Sequence, residues 1–344
     1  MIKKIAIISL SRGILGEPFI SHELEIGLNR LKKYGLEVIT TESALKGMEY
    51  IKNNPKERAK DLLNALNDKS IDMVLCAIGG DDTYRLLPYL FENDELKKAA
   101  KNNRKIFLGY SDTTWNHFMF NKVGFKTFYG QAFLTDVCEL ESEMLPYSRK
   151  YFEELITKES ISRIEPSDVW YSERTNFDSS QIGTKRVAHK NEGFQLLQGK
   201  PVFSGEILGG CIESIYDMFD NSRYSDTVEL CKKYALFPSA EEWKGKILLL
   251  ESSEEKTKPD LYRKMIRVLK AAGIFNSISG ILVGKPVDEV YYDEYKSILL
   301  EEIDDKNLPV VYNINIGHAT PHCIIPFGIK CTVNMNEQTI VFDQ

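Results

Sequence analysis

The chain has 344 residues, 43% hydrophobic and 27% charged, with 44 basic residues against 50 acidic for a formal net charge of −6. Its length suits two domains, each able to bury a core. The acidic balance argues against a protein that holds nucleic-acid backbones. No stretch reads as a membrane span, because the longest uncharged run, 307–329, is broken by Pro309, Pro321 and Pro326. The opening MIKKIAIISLSRG has too few apolar positions for a secretory signal. The six cysteines are scattered without a CxxC pair, which argues against a disulfide framework or a zinc ribbon. A cytoplasmic location is the expectation.

KIAIISL is an apolar run, as a strand covered on both faces should be. Leu24, Leu28 and Leu31 then recur at helical spacing until Gly35. LEVIT predicts a second strand, and Pro55 opens a helix with Ala59, Leu62, Leu63 and Leu66 on one side. DMVLCAIGG predicts a third strand followed by a helix from DDTYRLLPYLF. KIFLGY predicts a fourth, turning straight into a helix from SDTTWNHFMFNK. Strands alternating with helices mean βαβ units and a parallel sheet. After the helical SRKYFEELITKES the rhythm is lost, and the polar passage up to Gly199 reads as a linker or binding loop. The expected division is therefore a first domain over 1–150, a linker and substrate loop over 151–198, and a second domain over 199–344. The second half predicts a strand in KGKILLLESS, a helix from Pro259 to Ala272, strands in SGILVGK and LPVVYNI, and a terminal hairpin from IKCTVN and QTIVFD.

In a parallel sheet, ligands meet the carboxyl ends of strands. Gly79-Gly80-Asp81-Asp82-Thr83 follows one such end. Taken alone it is a turn with Asp81 or Asp82 as N-cap. It also brushes against the GGDGT phosphate loop of several kinases, with Asp82 placing a second negative charge where phosphate would lie. Gly109-Tyr110-Ser111-Asp112-Thr113-Thr114 follows another end. There Ser111 either caps the helix or projects as a nucleophile, although the GxSxG elbow pattern is not met. Glu251 ends the strand KILLL, and His318 lies in the loop after LPVVYNI. Each has an ordinary structural explanation, as a cap or a loop histidine. His318 and His322 do not form a zinc helix, because Pro321 forbids the turn that would stack them, so no metal is expected; no cofactor is expected either. His22, His117 and His189 read as core or surface residues.

Together GYSDTT, the strand-end Glu251 and GHATPHCIIPFG resemble the LD-carboxypeptidase family of serine peptidases, which includes the microcin C self-immunity proteins. KKIAIISLSRG, IGGDDTYRLLPYL, NEGFQLLQGKPVFSGEILGGCIESI and KILLLESSEEKTKPDLYRKMIRVL extend the likeness over nearly the whole chain. The long middle segment with Trp170 is nearer the microcin-immunity branch. The resemblance implies an α/β protein, with a flavodoxin-like N-terminal domain, a smaller swivelling β/α C-terminal domain and the site between them. It also implies a triad of Ser111, Glu251 and His318, with the backbone N–H groups of Gly80 and Asp112 as oxyanion hole, and a homodimer. The sequence departs from the family at the acidic GGDDT turn and at Glu254 and Glu255, which add charge near Glu251.

On this reading the protein is a serine amidase acting on a small peptide or peptidyl-nucleotide, with no nucleic-acid or membrane partner. Two substrates compete: a murein L,D-tetrapeptide, or an aminoacyl-nucleotide on whose base Trp170 stacks. Trp170 is equally explained as a packed loop aromatic. The alternatives from other classes are a nucleotide-binding phosphotransferase using GGDDT and a non-catalytic binding protein of the same fold.

Overall fold

The computed structural model describes residues 1–101 and 103–343. The chain divides into two compact units, one of Met1–Ser160 with Arg174–Arg186, the other of Ile161–Glu173 with Val187–Gln344.

In the first unit, strands β1 (Lys4–Ile8), β2 (Glu37–Thr40), β3 (Met73–Cys76), β4 (Ile106–Gly109) and β5 (Thr127–Tyr129) are parallel, in the order β5-β4-β3-β1-β2. The apolar runs KIAII, MVLC and IFLG are buried almost throughout, as strands covered on both faces require. From β1 the chain steps outward to β2, then returns to the other side of β1 for β3. The loops after β1 and β3 therefore diverge at their carboxyl ends, which is where open α/β sheets bind ligands. Helix Pro55–Asn67 carries Pro55 in its first turn, as expected. The predicted helix from DDTYRLLPYLF is split into a 3₁₀ turn, Thr83–Leu86, and a short helix, Leu87–Phe91. Pro88 has no N–H to bond the carbonyl four residues back, so one helix cannot run through.

In the second unit, β6 (Arg163–Ile164), β9 (Gln195–Gln198), β10 (Val202–Cys211), β11 (Ile247–Glu251), β12 (Gly280–Gly284), β13 (Val310–Ile314), β15 (Lys330–Asn334) and β16 (Thr339–Phe342) form an eight-stranded sheet. Its order is β6-β16-β15-β10-β11-β12-β13-β9, with β10 to β13 parallel and the outer strands antiparallel. The expected terminal hairpin is β15–β16, while β7 (Val169–Tyr171) and β8 (Ala188–Lys190) pair separately. A short strand, β14, spans Ile325–Phe327. Helix Pro259–Ala271 buries Tyr262, Met265, Ile266 and Leu269 along one stripe.

Residues 151–198 are not one loop. Helix Pro146–Lys158 belongs to the first unit, and β6 and β9 form the two edges of the second unit's sheet. Residues 174–186 return to the first unit. There Arg174 and Arg186 both pair with buried Glu139, at 3.3 and 2.7 Å.

Candidate active site

The first unit presents three strand-end loops that are stitched together by side chains. Ser11, just after β1, is the knot. Its hydroxyl donates to Asp112 Oδ2 at 2.6 Å and accepts from the backbone N–H groups of Asp81 and Asp82 at 3.0 and 3.2 Å. Asp112 Oδ2 also accepts from Thr83 N at 2.9 Å. Burial pushes the Asp112 carboxyl up to about 6, against the opposing effect of the hydrogen bonds from Ser11 and Thr83. Asp82 occupies the N-cap of the following turn, but its side chain does not make the cap hydrogen bond. The charge expected of Asp82 in a phosphate position is turned onto Arg58, a fully buried guanidinium that donates to Oδ1 and Oδ2 at 2.6 and 3.1 Å. The Asp82 charge is thus compensated by Arg58 and by Arg85, 3.3 Å from Oδ2, whereas Asp81 is exposed.

Ser111 lies at the carboxyl end of β4, within the 3₁₀ turn Ser111–Thr113 and not at its cap, which is Tyr110. Its φ of 64° is in the left-handed region, unusual for a residue with a side chain and costing of order 1–3 kcal/mol. Its N–H donates to the Tyr129 hydroxyl at 3.2 Å. The helix behind it, Thr114–Lys122, is almost wholly buried. Gly79 makes room for the serine: a Cβ there would stand 2.6 Å from Ser111 Cβ and 2.8 Å from its Oγ. Gly80 has φ +151°, and a Cβ there would meet Ser11 Oγ at 2.2 Å. The paired glycines therefore serve close approach of loops around Ser111, whatever they bind.

In the second unit, β11 ends on Glu251 in register with Cys211 at the end of β10. His318 Nδ1 donates to Glu251 Oε2 at 2.7 Å. The loop that carries His318 lies on the carboxylate because Gly317 has no side chain; a Cβ there would meet Glu251 Oε2 at 2.4 Å. The same loop is pinned at Asn315, whose Oδ1 accepts from Ser167 N at 2.9 Å, and at Thr320, whose carbonyl accepts from Tyr171 N at 2.9 Å. Burial alone would lower the His318 pKa. Glu251, by charge and hydrogen bond, with Glu254 beside Nε2 and Glu213 further off, outweighs it and raises the ring to about 9. Glu213, which sequence reasoning missed, anchors the loop after β11 by accepting from Thr257 Oγ1 at 2.6 Å and Ser253 N at 3.1 Å.

Cys211, Glu251 and His318 each bring a ligand-type atom within 4.8 Å of the others. Two of the three are already joined by the Nδ1–Oε2 hydrogen bond, and Cys211 Sγ donates to Glu213 at 3.2 Å. His322 is buried. Trp170, on β7, is also buried and stacks on His189 at 4.2 Å between ring centroids, with Lys285 Nζ 5.1 Å from the indole centroid. His117 is a core histidine bonded to Thr127 and to the Gly109 carbonyl. The structure thus gathers Gly80, Ser111 and Asp112 in one unit, Glu251 and His318 in the other, and sets Trp170 in an aromatic–cationic cluster.

Residues 5–130 match the LD-carboxypeptidase N-terminal domain, and residues 204–333 match the LD-carboxypeptidase C-terminal domain. The chain belongs to the LD-carboxypeptidase family. Among solved structures, an MccF-like protein from Streptococcus pneumoniae in complex with AMP is 59% identical, with a TM-score of 0.98 over 100% of this chain and 99% of that one. The Microcin C7 self-immunity protein MccF, in complex with aspartyl sulfamoyl adenosine, shares the fold at 22% identity, with a TM-score of 0.81 over 99% and 96%. Among curated proteins, a putative carboxypeptidase of Vibrio cholerae is 24% identical over 90% of this chain and 86% of its own length. The Microcin C7 self-immunity protein of Escherichia coli is 24% identical over 91% and 86%. No helix among the described residues is long and apolar enough to cross a membrane.

Proposed function

We propose that this member of the family is a serine amidase that hydrolyses the amide joining an amino acid's carboxyl group to a nucleotide-like group. The observation that carries the reading is the hydrogen-bonded His318–Glu251 pair in a family of peptidases, together with Ser111 held at positive φ on a strand-end turn. The nucleotide half rests on the relatives: the 59%-identical protein holds AMP, and the microcin-immunity protein holds aspartyl sulfamoyl adenosine and glutamyl sulfamoyl guanosine.

In the proposed reaction Ser111 Oγ attacks the carbonyl carbon while His318 Nε2 takes its proton. Glu251 keeps the other ring proton on Nδ1 and so leaves Nε2 as the acceptor. The amide N–H groups of Gly80 and Asp112 stabilise the tetrahedral oxyanion, a kind of contact worth about 10²–10³ in rate for one donor. The C–N bond then breaks with return of the proton to the leaving nitrogen, and water releases the amino acid from Ser111 by the same steps. Trp170 serves the nucleobase.

The experiment is product analysis with glutamyl or aspartyl sulfamoyl adenosine, beside a murein tetrapeptide. Release of the free amino acid and sulfamoyl adenosine is expected, and Ser111→Ala should lower the rate by about 10⁶ with an unchanged melting temperature. Cleavage of the tetrapeptide alone would reassign the substrate, and wild-type turnover by Ser111→Ala would end the triad assignment.

A further inference from the structure

The loop after β11 carries two adjacent glutamates and a lysine, Glu254-Glu255-Lys256, and the fold uses them differently. Glu255 pairs with Arg223 Nη2 at 3.1 Å, and Arg223 also lies 3.7 Å from Asp217. Lys256 pairs with Glu173 at 3.3 Å and with Asp288 at 2.9 Å. Inside the loop, Glu213 holds Ser253 N and the Thr257 hydroxyl. With both flanks tied elsewhere, Glu254 is the residue turned to the histidine. Its Oε2 stands 3.2 Å from His318 Nε2, while Glu251 Oε2 stands 2.7 Å from Nδ1. The imidazole lies between two carboxylates, one on each nitrogen.

A neutral imidazole has one donor and one acceptor nitrogen, so it can satisfy only one of two flanking carboxylates; the imidazolium satisfies both. The proposed reaction needs Nε2 bare. We propose that Glu254 is a positioning residue that holds His318 as imidazolium in the resting protein, so that the ring becomes a base only when Glu254 withdraws or the pH rises. This rests on the serine-amidase reading above. Glu251 is buried and cannot leave, whereas the Glu254 side chain is 56% exposed and sits in a turn, free to swing into solvent. Glu213, from the helix Ile212–Tyr216, and Cys211, at the end of β10, are further ionisable groups near the ring. Glu254 is the carboxylate that stands at ion-pair distance from Nε2, and its exposure makes that charge adjustable.

The surroundings lift the ring to about 9: burial opposes the charge, and Glu251, Glu254 and Glu213 overcome it. A ring raised in this way is mainly imidazolium at pH 7. Removing one carboxylate lowers the pKa, so the neutral fraction near pH 7 rises, and with it the rate.

The test is Glu254→Gln in the full chain, with Glu255→Gln as its control. The pKa of His318 is read by NMR from labelled histidines, five in all, the resonance being assigned by its loss in His318→Gln. The ring of Glu254→Gln should titrate about one unit lower, the rising limb of kcat/KM against pH should move down with it, and kcat/KM at pH 7 should rise about tenfold. Glu255→Gln should leave both readouts at the wild-type value. An unchanged His318 titration in Glu254→Gln overturns the proposal, as does a lowered titration with an unmoved rate profile. A lowered titration with no hydrolysis by any of the proteins refutes the amidase reading while leaving Glu254 as the group that charges the ring.

Discussion

Gly79→Ala asks whether the Gly-Gly turn exists to seat Ser111. The added methyl would sit 2.6 Å from Ser111 Cβ, 2.8 Å from Oγ and 3.2 Å from Asp112 N. Carbon atoms in ordinary contact lie about 3.5–4.0 Å apart, so roughly 1 Å must be found. Little can give, because Ser111 Cβ and Asp112 N are fixed to the main chain at a residue already held at φ 64°. The neighbouring loops are also tied, since Arg12 N–H donates to Gly79 O at 3.1 Å and Ser11 accepts from the amides of Asp81 and Asp82. The displacement therefore falls on the serine. A shift of about 1 Å at a reacting group costs about 10²-fold, and overpacking of this kind costs about 1–3 kcal/mol of stability. Steady-state hydrolysis of aspartyl sulfamoyl adenosine should show kcat down about a hundredfold, with a modest fall in melting temperature. A variant with wild-type kcat and wild-type melting would refute the steric argument and leave the paired glycines without this role.

Two further outcomes test other parts of the site. Arg58→Met removes two hydrogen bonds to the Asp82 carboxylate and leaves it Arg85, 3.3 Å from Oδ2, so it should cost about 1.5–3 kcal/mol in urea unfolding; adding Asp82→Asn should recover part of it, and equal losses in Arg58→Met and the double variant would show that the weakened carboxylate is not the source of the cost. Trp170→Ala should raise KM for the nucleotide substrate by about 10–100-fold, matching a stacking contact of about 1–3 kcal/mol, with a smaller effect on kcat; an unchanged KM in a folded variant would confine Trp170 to packing against His189.

Much of this protein was legible from neighbours in the chain. Continuous apolar runs and helical spacings marked β1, β3, β4 and β11, since burial on both faces of a parallel sheet leaves that pattern in the residues themselves. The same patterns put Ser111 at the end of β4, Glu251 at the end of β11 and His318 just beyond β13, and the family's motifs lay at those places. What the neighbours of a residue could not say is which way it would be turned. Asp82 looked like a stray charge until Arg58, 24 positions away, proved to hold it. Ser11 looked unremarkable, yet it joins Asp112 across 101 positions. Ser111 read by itself more readily as a helix cap than as a nucleophile, yet Tyr110 holds the cap position and Ser111, at positive φ with its N–H on Tyr129, lies inside the turn. Likewise Glu254 and Glu255 are indistinguishable by type and position. Arg223 draws one away, and the other is left facing His318. Periodicity records which side of an element is buried, because that repeats along the chain. The aim of a loop carboxylate is set by single contacts between distant segments, which leave no repeat to read, and only the folded structure decides it.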